Sequence, residues 1–392
     1  MTRVGPEERR ARLGVRHHLA AAASSAEEAA AAMVGLHSSD PASVYLSAWA
    51  RVEGFVPAGL EDALYRRRSL VRMLGMRRTL FVVPVDLAAV MHEACTKARA
   101  PAERRRLVRM LEEQGVAAPG RGERWLDRVA SATLEALRAR GEASARELTA
   151  DVPELGTKLD LGQGTTWAAT VGVSTRVLFL LATEGLVVRA RPLGSWTSGQ
   201  YRWATTEHWL GGPLPEIDHA EACADLLGRW LRTFGPATMT DLRWWTGWTA
   251  KLSATTLGAV GAAEIALDGG AGFVLPGDLG AVDDADPWVA LLPGLDPTVM
   301  GWKDRAWYVG DHASDLFDRN GNAGPTVWAN GRAVGAWGQT EQGEVVVELF
   351  GRRDAATRKL VDAERERLRS WLGDVRIRTR FATPLGKKLA GR

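Results

Sequence analysis

Cysteine is nearly absent: Cys95 and Cys223 are the two in 392 residues, far apart in the chain and without a nearby ligand partner. That rules against a disulfide framework or a structural zinc site and fits a reducing compartment. Seven histidines are present, two of them adjacent at His17-His18, yet neither an HExxH nor a CxxC spacing occurs. No stretch approaches the roughly 20 apolar residues that span a bilayer. The N-terminal segment carries Arg3, Glu7, Glu8, Arg9 and Arg10 in place of an apolar signal core, so a cytoplasmic protein is expected. The glycine-rich pieces Gly162-Gln163-Gly164 and Gly269 to Gly272 fit neither a P-loop nor a dinucleotide fingerprint in context, and no nucleotide or metal cofactor is expected. Lysine is scarce as well. It accounts for seven of the 50 basic residues, leaving 43 arginines, whose planar donor forks suit phosphates and base edges better than ammonium groups do.

What is present is an ordinary globular balance, 46% hydrophobic and 25% charged with a net charge of +3, in a chain long enough for two or three domains and a sizeable core. Its organising stretch runs from Met33 to Pro84. It opens with Leu36-His37-Ser38-Ser39-Asp40-Pro41, closes with Leu80-Phe81-Val82-Val83-Pro84, and contains no acidic residue between Asp62 and Asp86. Apolar residues at 60, 63, 64, 70, 71 and 74 predict a helix over Glu61 to Leu74, with Arg66, Arg68 and Arg72 on its other positions. Arg77 and Arg78 then precede a strand over Thr79 to Val83. Gly35 ends a helix that starts near Ala26, which places His37 to Asp40 in a connection before a helix over Ser43 to Arg51.

The pattern of helices followed by a β-hairpin recurs. Ser144 and Glu147 stand at capping-box spacing. A long helix is predicted over Thr165 to Thr183, and Leu186 to Arg191 with Gln200 to Trp203 form a hairpin carrying Arg189, Arg191 and Arg202. After a Gly/Pro-rich linker, helices over Glu221 to Phe234, Asp241 to Trp248 (capped by Thr240) and Leu252 to Val260 lead to a weaker hairpin around Gly269 to Gly272. The remainder is β-rich: Trp288 to Leu292, Thr326 to Ala329, Ala333 to Gln339 and Glu344 to Phe350, with Asn330-Gly331 as a hairpin turn. A charged helix follows over Ala355 to Trp371. Alternating arginines then predict a last strand over Val375 to Phe381. The units divide as 1–120, 121–212, 213–280 and 281–392.

Taken together, Arg77-Arg78-Thr79-Leu80, Leu291-Leu292-Pro293-Gly294-Leu295-Asp296, Gly301-Trp302-Lys303-Asp304-Arg305 and Asn330-Gly331-Arg332 resemble the bacterial tandem winged-helix family that contains the AlkZ and YcaQ type DNA glycosylases. The resemblance runs from about Arg10 to Phe381. It implies an α+β fold of three tandem winged-helix units in a C-shaped clamp around double-stranded DNA, with a C-terminal β-rich portion. It also implies a nucleoid-associated monomer that hydrolyses the N-glycosidic bond of N7-alkylated or bulky purine adducts without a cofactor, some members unhooking crosslinks. The family motif, Gln-x-Gln or Gln/His-x-Asp, falls on His37 and Ser39. Ser39 is neither Gln nor Asp, and a carboxylate follows one position late, at Asp40.

N7-alkylation makes guanine cationic and already a good leaving group, so the enzyme needs only to place a water and stabilise an oxocarbenium-like sugar. The expectation is that His37, with an ordinary pKa near 6.5, acts as base, helped by Asp40, while Ser39 holds the water. The competing reading makes Ser39-Asp40-Pro41 a helix N-cap. Arg66, Arg68, Arg72, Arg77, Arg78, Arg189, Arg191, Arg202, Lys303 and Arg305 are the expected DNA contacts, as is the Arg104 to Arg109 cluster. Lys303 to Arg305 reads equally as an ion-paired turn. The tryptophans Trp244, Trp245, Trp248, Trp302 and Trp307 are expected to serve packing. The functional alternative is a non-catalytic winged-helix DNA-binding protein, a damage sensor or regulator.

Overall fold

The computed structural model describes residues 2–162, 164, 168–282 and 285–391. Strands in chain order are β1 Leu36–His37, β2 Leu70–Leu74, β3 Leu80–Pro84, β4 Glu142–Ser144, β5 Lys158–Leu161, β6 Ala169–Gly172, β7 Val187–Pro192, β8 Tyr201–Thr205, β9 Ala263–Leu267, β10 Gly270–Val274, β11 Val289–Leu292, β12 Thr326–Ala329, β13 Arg332–Gln339 and β14 Val345–Leu349. One antiparallel sheet, in the order β1-β3-β2-β7-β8-β4, carries the two basic hairpins side by side. They meet at the pair Arg72 and Arg189. β5 and β6 form a separate hairpin, as do β9 and β10, and β11 to β14 make a meander in chain order.

The largest correction falls on the stretch read as one basic helix. The helix Pro57–Glu61 passes into a widened π turn at Asp62–Arg66 and stops, and Leu70–Leu74 is a fully buried strand. Arg68 sits between them at φ +55°. The apolar residues at 70, 71 and 74 fit either period. What decides is the partner: Leu80–Pro84 lies antiparallel to them from Leu70↔Pro84 to Leu74↔Leu80, and a strand enclosed on both faces reads as an unbroken apolar run. His37, expected in a connection, is in β1, paired with Phe81.

Three further expectations shift. The helix predicted over Thr165 to Thr183 begins at Val173, behind β6, because the β-branched pair Thr170-Val171 joins Asp160 and Leu159 across the hairpin. Thr165 itself, like Gln163, lies outside the described residues. The cap of Met239–Thr246 is Thr238, which closes a capping box with Asp241. Val375 to Phe381 forms no strand. Side chains take its backbone donors instead: Ile377 N–H reaches Gln339 Oε1 at 2.8 Å and Arg380 N–H reaches Asp40 Oδ2 at 3.0 Å.

Packing joins the C-terminal meander to the motif region. Trp49, Trp230, Trp302, Trp328 and Trp337 are fully enclosed, as expected for side chains that mainly bury area. Between them runs a buried polar lattice. Asp296, in the Leu-Pro-Gly-Leu-Asp-Pro turn, accepts from Arg51 Nη2 at 2.7 Å, Arg51 Nη1 at 2.8 Å, Ser47 Oγ at 2.6 Å and Thr298 N at 2.9 Å. Ser43 Oγ donates to the Gly294 carbonyl at 2.7 Å. The turn is therefore pinned along the helix Pro41–Trp49, directly after the His-Ser-Ser-Asp motif.

Candidate active site

The motif spans the end of β1 and the start of the helix Pro41–Trp49, and its four side chains face four surroundings. His37 is buried against Phe81, ring centroids 5.0 Å apart. Its Nδ1 accepts a long hydrogen bond, 3.4 Å, from Ser39 N–H. Burial, then the nearby Arg77 charge, pulls its pKa down to about 3. The imidazole is therefore neutral throughout the physiological range, with one nitrogen donating and the other accepting. Ser38 Oγ is enclosed and accepts from Arg72 Nε at 2.7 Å. Ser39 is half-buried, and its Oγ accepts from Leu80 N–H at 3.3 Å. Asp40 is the N-cap: one oxygen takes Ala42 N–H at 3.2 Å and the other takes Arg380 N–H. Burial raises its pKa, while both oxygens are already engaged.

Ser39 opens on a cleft of about 180 Å³ between the β2–β3 hairpin and the helix Val173–Thr183 with β7 and β8. Leu80, Phe179 and Trp203 give it apolar walls, and Arg78 and Arg189 supply its cations. The guanidinium of Arg189 lies 3.7 Å from the Trp203 ring centroid. It makes no ion pair among the described residues, and burial lowers its pKa to about 10. Arg78 lies over Phe179 at 5.1 Å and pairs with Glu103 at 3.1 Å.

Arg77 and Arg78 form the tip of the β2–β3 hairpin, at φ +53° and +66°. Left-handed backbone disfavours side chains bearing a Cβ, by roughly 1 kcal/mol or more per residue. Arg77 rests over Trp244 at 3.9 Å. Burial, followed by repulsion from Arg305, lowers its pKa to about 10.

The other expected DNA contacts separate by environment. Arg66 and Arg191 are exposed but ion-paired, to Asp62 and to Glu61 (2.8 Å). Lys303 is exposed, and its ammonium has no ion pair among the described residues. Arg68 lies 4.2 Å over Trp209 and donates to the His208 and Trp209 carbonyls. Arg202 donates to the Glu142 carbonyl at 2.7 Å, and Arg305 to those of Trp302 and Gly321. Arg104 is ion-paired to Glu123 and Glu184. Arg72 is 1% exposed, bonded to Ser38 and to Tyr65 Oη at 2.8 Å. It stands behind the motif, closed off from any phosphate in this conformation, because its strand is an inner one.

Sequence reasoning missed Arg51, Asp296 and Arg380 as partners of the motif region, and Phe179 and Trp203 as cleft walls. The buried Asp296 is hinted at by its place between Leu295 and Pro297. The pairings themselves join positions some 245 to 340 residues apart, and no local pattern carries them.

This α+β fold sets a polar motif at the mouth of a cleft that combines two arginines with aromatic walls. The family model for AlkZ-like DNA glycosylases matches residues 30–371, and the chain belongs to that family. Its work is hydrolytic DNA base repair. Among solved structures, the Streptomyces sahachiroi DNA glycosylase AlkZ has the same fold, with a TM-score of 0.72 at 20% identity over 96% of this chain and 98% of that one. No curated protein matches the chain. Among the described residues no helix is long and apolar enough to cross a membrane, and no cluster of metal-ligating side chains occurs.

Proposed function

We propose that this protein is a monofunctional glycosylase acting on N7-alkylated or bulky purine adducts in duplex DNA, with His37 and Ser39 as the water-positioning pair. The observation that carries the reading is the enclosed, neutral His37 at the first motif position, its Nδ1 bonded to Ser39 N–H, directly behind the half-buried Ser39 that lines an arginine-flanked cleft. A neutral imidazole presents one donor and one acceptor, as a Gln amide does. In this role His37 stands in for the amide of the family motif and has no need to take up a proton. The attacking water lies against Ser39 Oγ. Its oxygen bonds to C1′ as the C1′–N9 bond breaks, the bonding pair neutralises the cationic purine, and the water's proton leaves to solvent. Asp40 positions the loop through its two backbone bonds.

The clamp fits the same reading. Helices followed by a hairpin recur over 122–205 and 219–274, the order of a winged helix, and the units are proposed to divide at 120, 212 and 280. Arg66, Arg77, Arg78, Arg189, Arg191 and Lys303 supply a basic face toward phosphates. Two arginines at consecutive left-handed positions, where glycine or asparagine is the less strained choice, support a functional use of that hairpin tip.

A second reading, a DNA-binding protein without chemistry, is favoured by the serine at the third motif position and the fully engaged Asp40. Base release from duplex DNA carrying a single N7-methylguanine separates the two. The expected result is release by wild type, retained in His37→Gln, lost in Ser39→Ala, and flat between pH 6 and 8. Tight binding with no release of this or a bulkier N7 adduct establishes the binder, and a rate inflecting near pH 6.5 removes the neutral-imidazole role.

A further inference from the structure

We infer that Arg380, on the C-terminal strap 375–381, joins Arg189 in gripping a backbone phosphate that flanks the damaged nucleotide. This rests on the glycosylase reading above and adds a substrate contact to it. The strap lies beyond the family-matched segment 30–371. Its arginines alternate at 376, 378 and 380, but they have separate duties. Arg376 ties one end of the strap to the β-meander, donating to the Glu341 and Gln342 carbonyls at 3.2 and 2.8 Å. Asp40 holds the other end through Arg380 N–H at 3.0 Å. That backbone bond delivers a cation to the motif from 340 residues away.

Arg380 is exposed, and its guanidinium rests against Gly199 in the loop joining β7 and β8, where a Cβ would collide with it. From there it repels Arg189, and both charges act on Tyr201. Neither guanidinium makes a hydrogen bond or an ion pair among the described residues, and Arg189 Nε is buried without an acceptor. Neighbouring cations repel, and a desolvated donor left unpaired is costly. A phosphodiester answers both, because its paired oxygens match the planar fork of arginine. Its place follows from the site. Arg189 lines the same cleft as Ser39, and every deoxyribose within a strand has a phosphate on each side. A sugar held at Ser39 therefore has phosphates within arginine reach of the motif. Such a contact reads no base and fixes register.

The test measures duplex binding by wild type, Arg380→Met and Arg380→Lys, each checked by thermal melting. Both variants keep the backbone N–H that Asp40 holds, so the bond to the motif is untouched. The duplexes carry one N7-methylguanine and either ordinary phosphates or a single neutral methylphosphonate, on the 5′ or the 3′ side of the lesion. Arg380→Met is expected to bind the ordinary duplex about tenfold more weakly than wild type, the size of one charge-assisted hydrogen bond. On one of the two methylphosphonate duplexes wild type and Arg380→Met should bind within about twofold of each other, because the charge that Arg380 meets is already gone. Arg380→Lys should recover part of the loss, keeping the charge without the fork. A tenfold loss that persists on both methylphosphonate duplexes, or wild-type binding by Arg380→Met, overturns the phosphate contact. Should wild type release no base from the ordinary duplex, the glycosylase reading fails instead. Binding of inorganic pyrophosphate, followed by tryptophan fluorescence, then decides the pair by itself. Binding by wild type that Arg380→Met loses keeps it as an anion site for free phosphates, and equal signals from the two proteins remove it.

Discussion

His37 shows how much burial alone decides at the scale of a residue. Free imidazole straddles neutral pH, but this ring, like His17, is held near a pKa of 3, by burial first and a neighbouring arginine second. Both folded-state values are depressed, so below the ordinary value near 6.5 the unfolded chain binds protons that the native chain refuses. Stability is then full above about pH 6.5 and is lost as the pH falls from there toward 3. The raised carboxyl of Asp40 works in the opposite sense within the carboxylate range. Each imidazole is expected to account for about 2 kcal/mol of the loss between pH 7 and pH 5. Urea denaturation at the two pH values checks this. The drop should shrink by about that amount in His37→Gln, and an unchanged drop would show that His37 titrates normally.

At the scale of elements, the turn at Pro293–Pro297 and the helix Pro41–Trp49 act as one unit. Burial alone would raise the Asp296 pKa, but the Arg51 charge and then the hydrogen bonds from Arg51 and Ser47 more than offset this and leave it lowered. Removing one partner leaves an uncompensated buried charge, for which the loss is about 3–5 kcal/mol. Asp296→Leu and Arg51→Met are each expected to destabilise by that order in urea melts. The double variant should recover a large part of it, since an apolar pair of similar volume often replaces a buried ion pair at little loss. Strict additivity of the two losses would instead mean that the residues are not coupled. Because Asp40 caps the same helix and holds Arg380 N–H, slack in this unit reaches the motif without any contact to DNA.

Across the whole molecule the charge is arranged rather than large. A net charge of +3 hides cations gathered along the joined β2–β3 and β7–β8 hairpins, several already occupied by carbonyls or carboxylates. Duplex binding is expected to weaken with salt, with a log–log slope of roughly −0.9 per phosphate neutralised. Lys303→Ala, which removes an exposed cation without disturbing packing, should make the slope shallower by about 1. Fluorescence anisotropy with an undamaged duplex over 50 to 200 mM salt measures both, and an identical slope in the variant would place Lys303 off the DNA.

The sequence by itself determined much of the local order. Capping residues fixed the starts of the helices at Ala26 and Ala145 through Ser25 and Ser144, and Asn330-Gly331 set the β12–β13 turn. The run of motifs from Arg77 to Arg332 also identified the family. These are short-range signals, carried by side chains that bond within a few residues of themselves. Only tertiary structure decided that Leu70–Leu74 is a strand, because its apolar residues serve either period until β3 lies beside them. It also decided that Arg72 faces inward, that His37 is neutral, and that Asp40 answers to Arg380. Each of those depends on desolvation or on a partner brought from far along the chain, and neither quantity exists until the chain has closed around it.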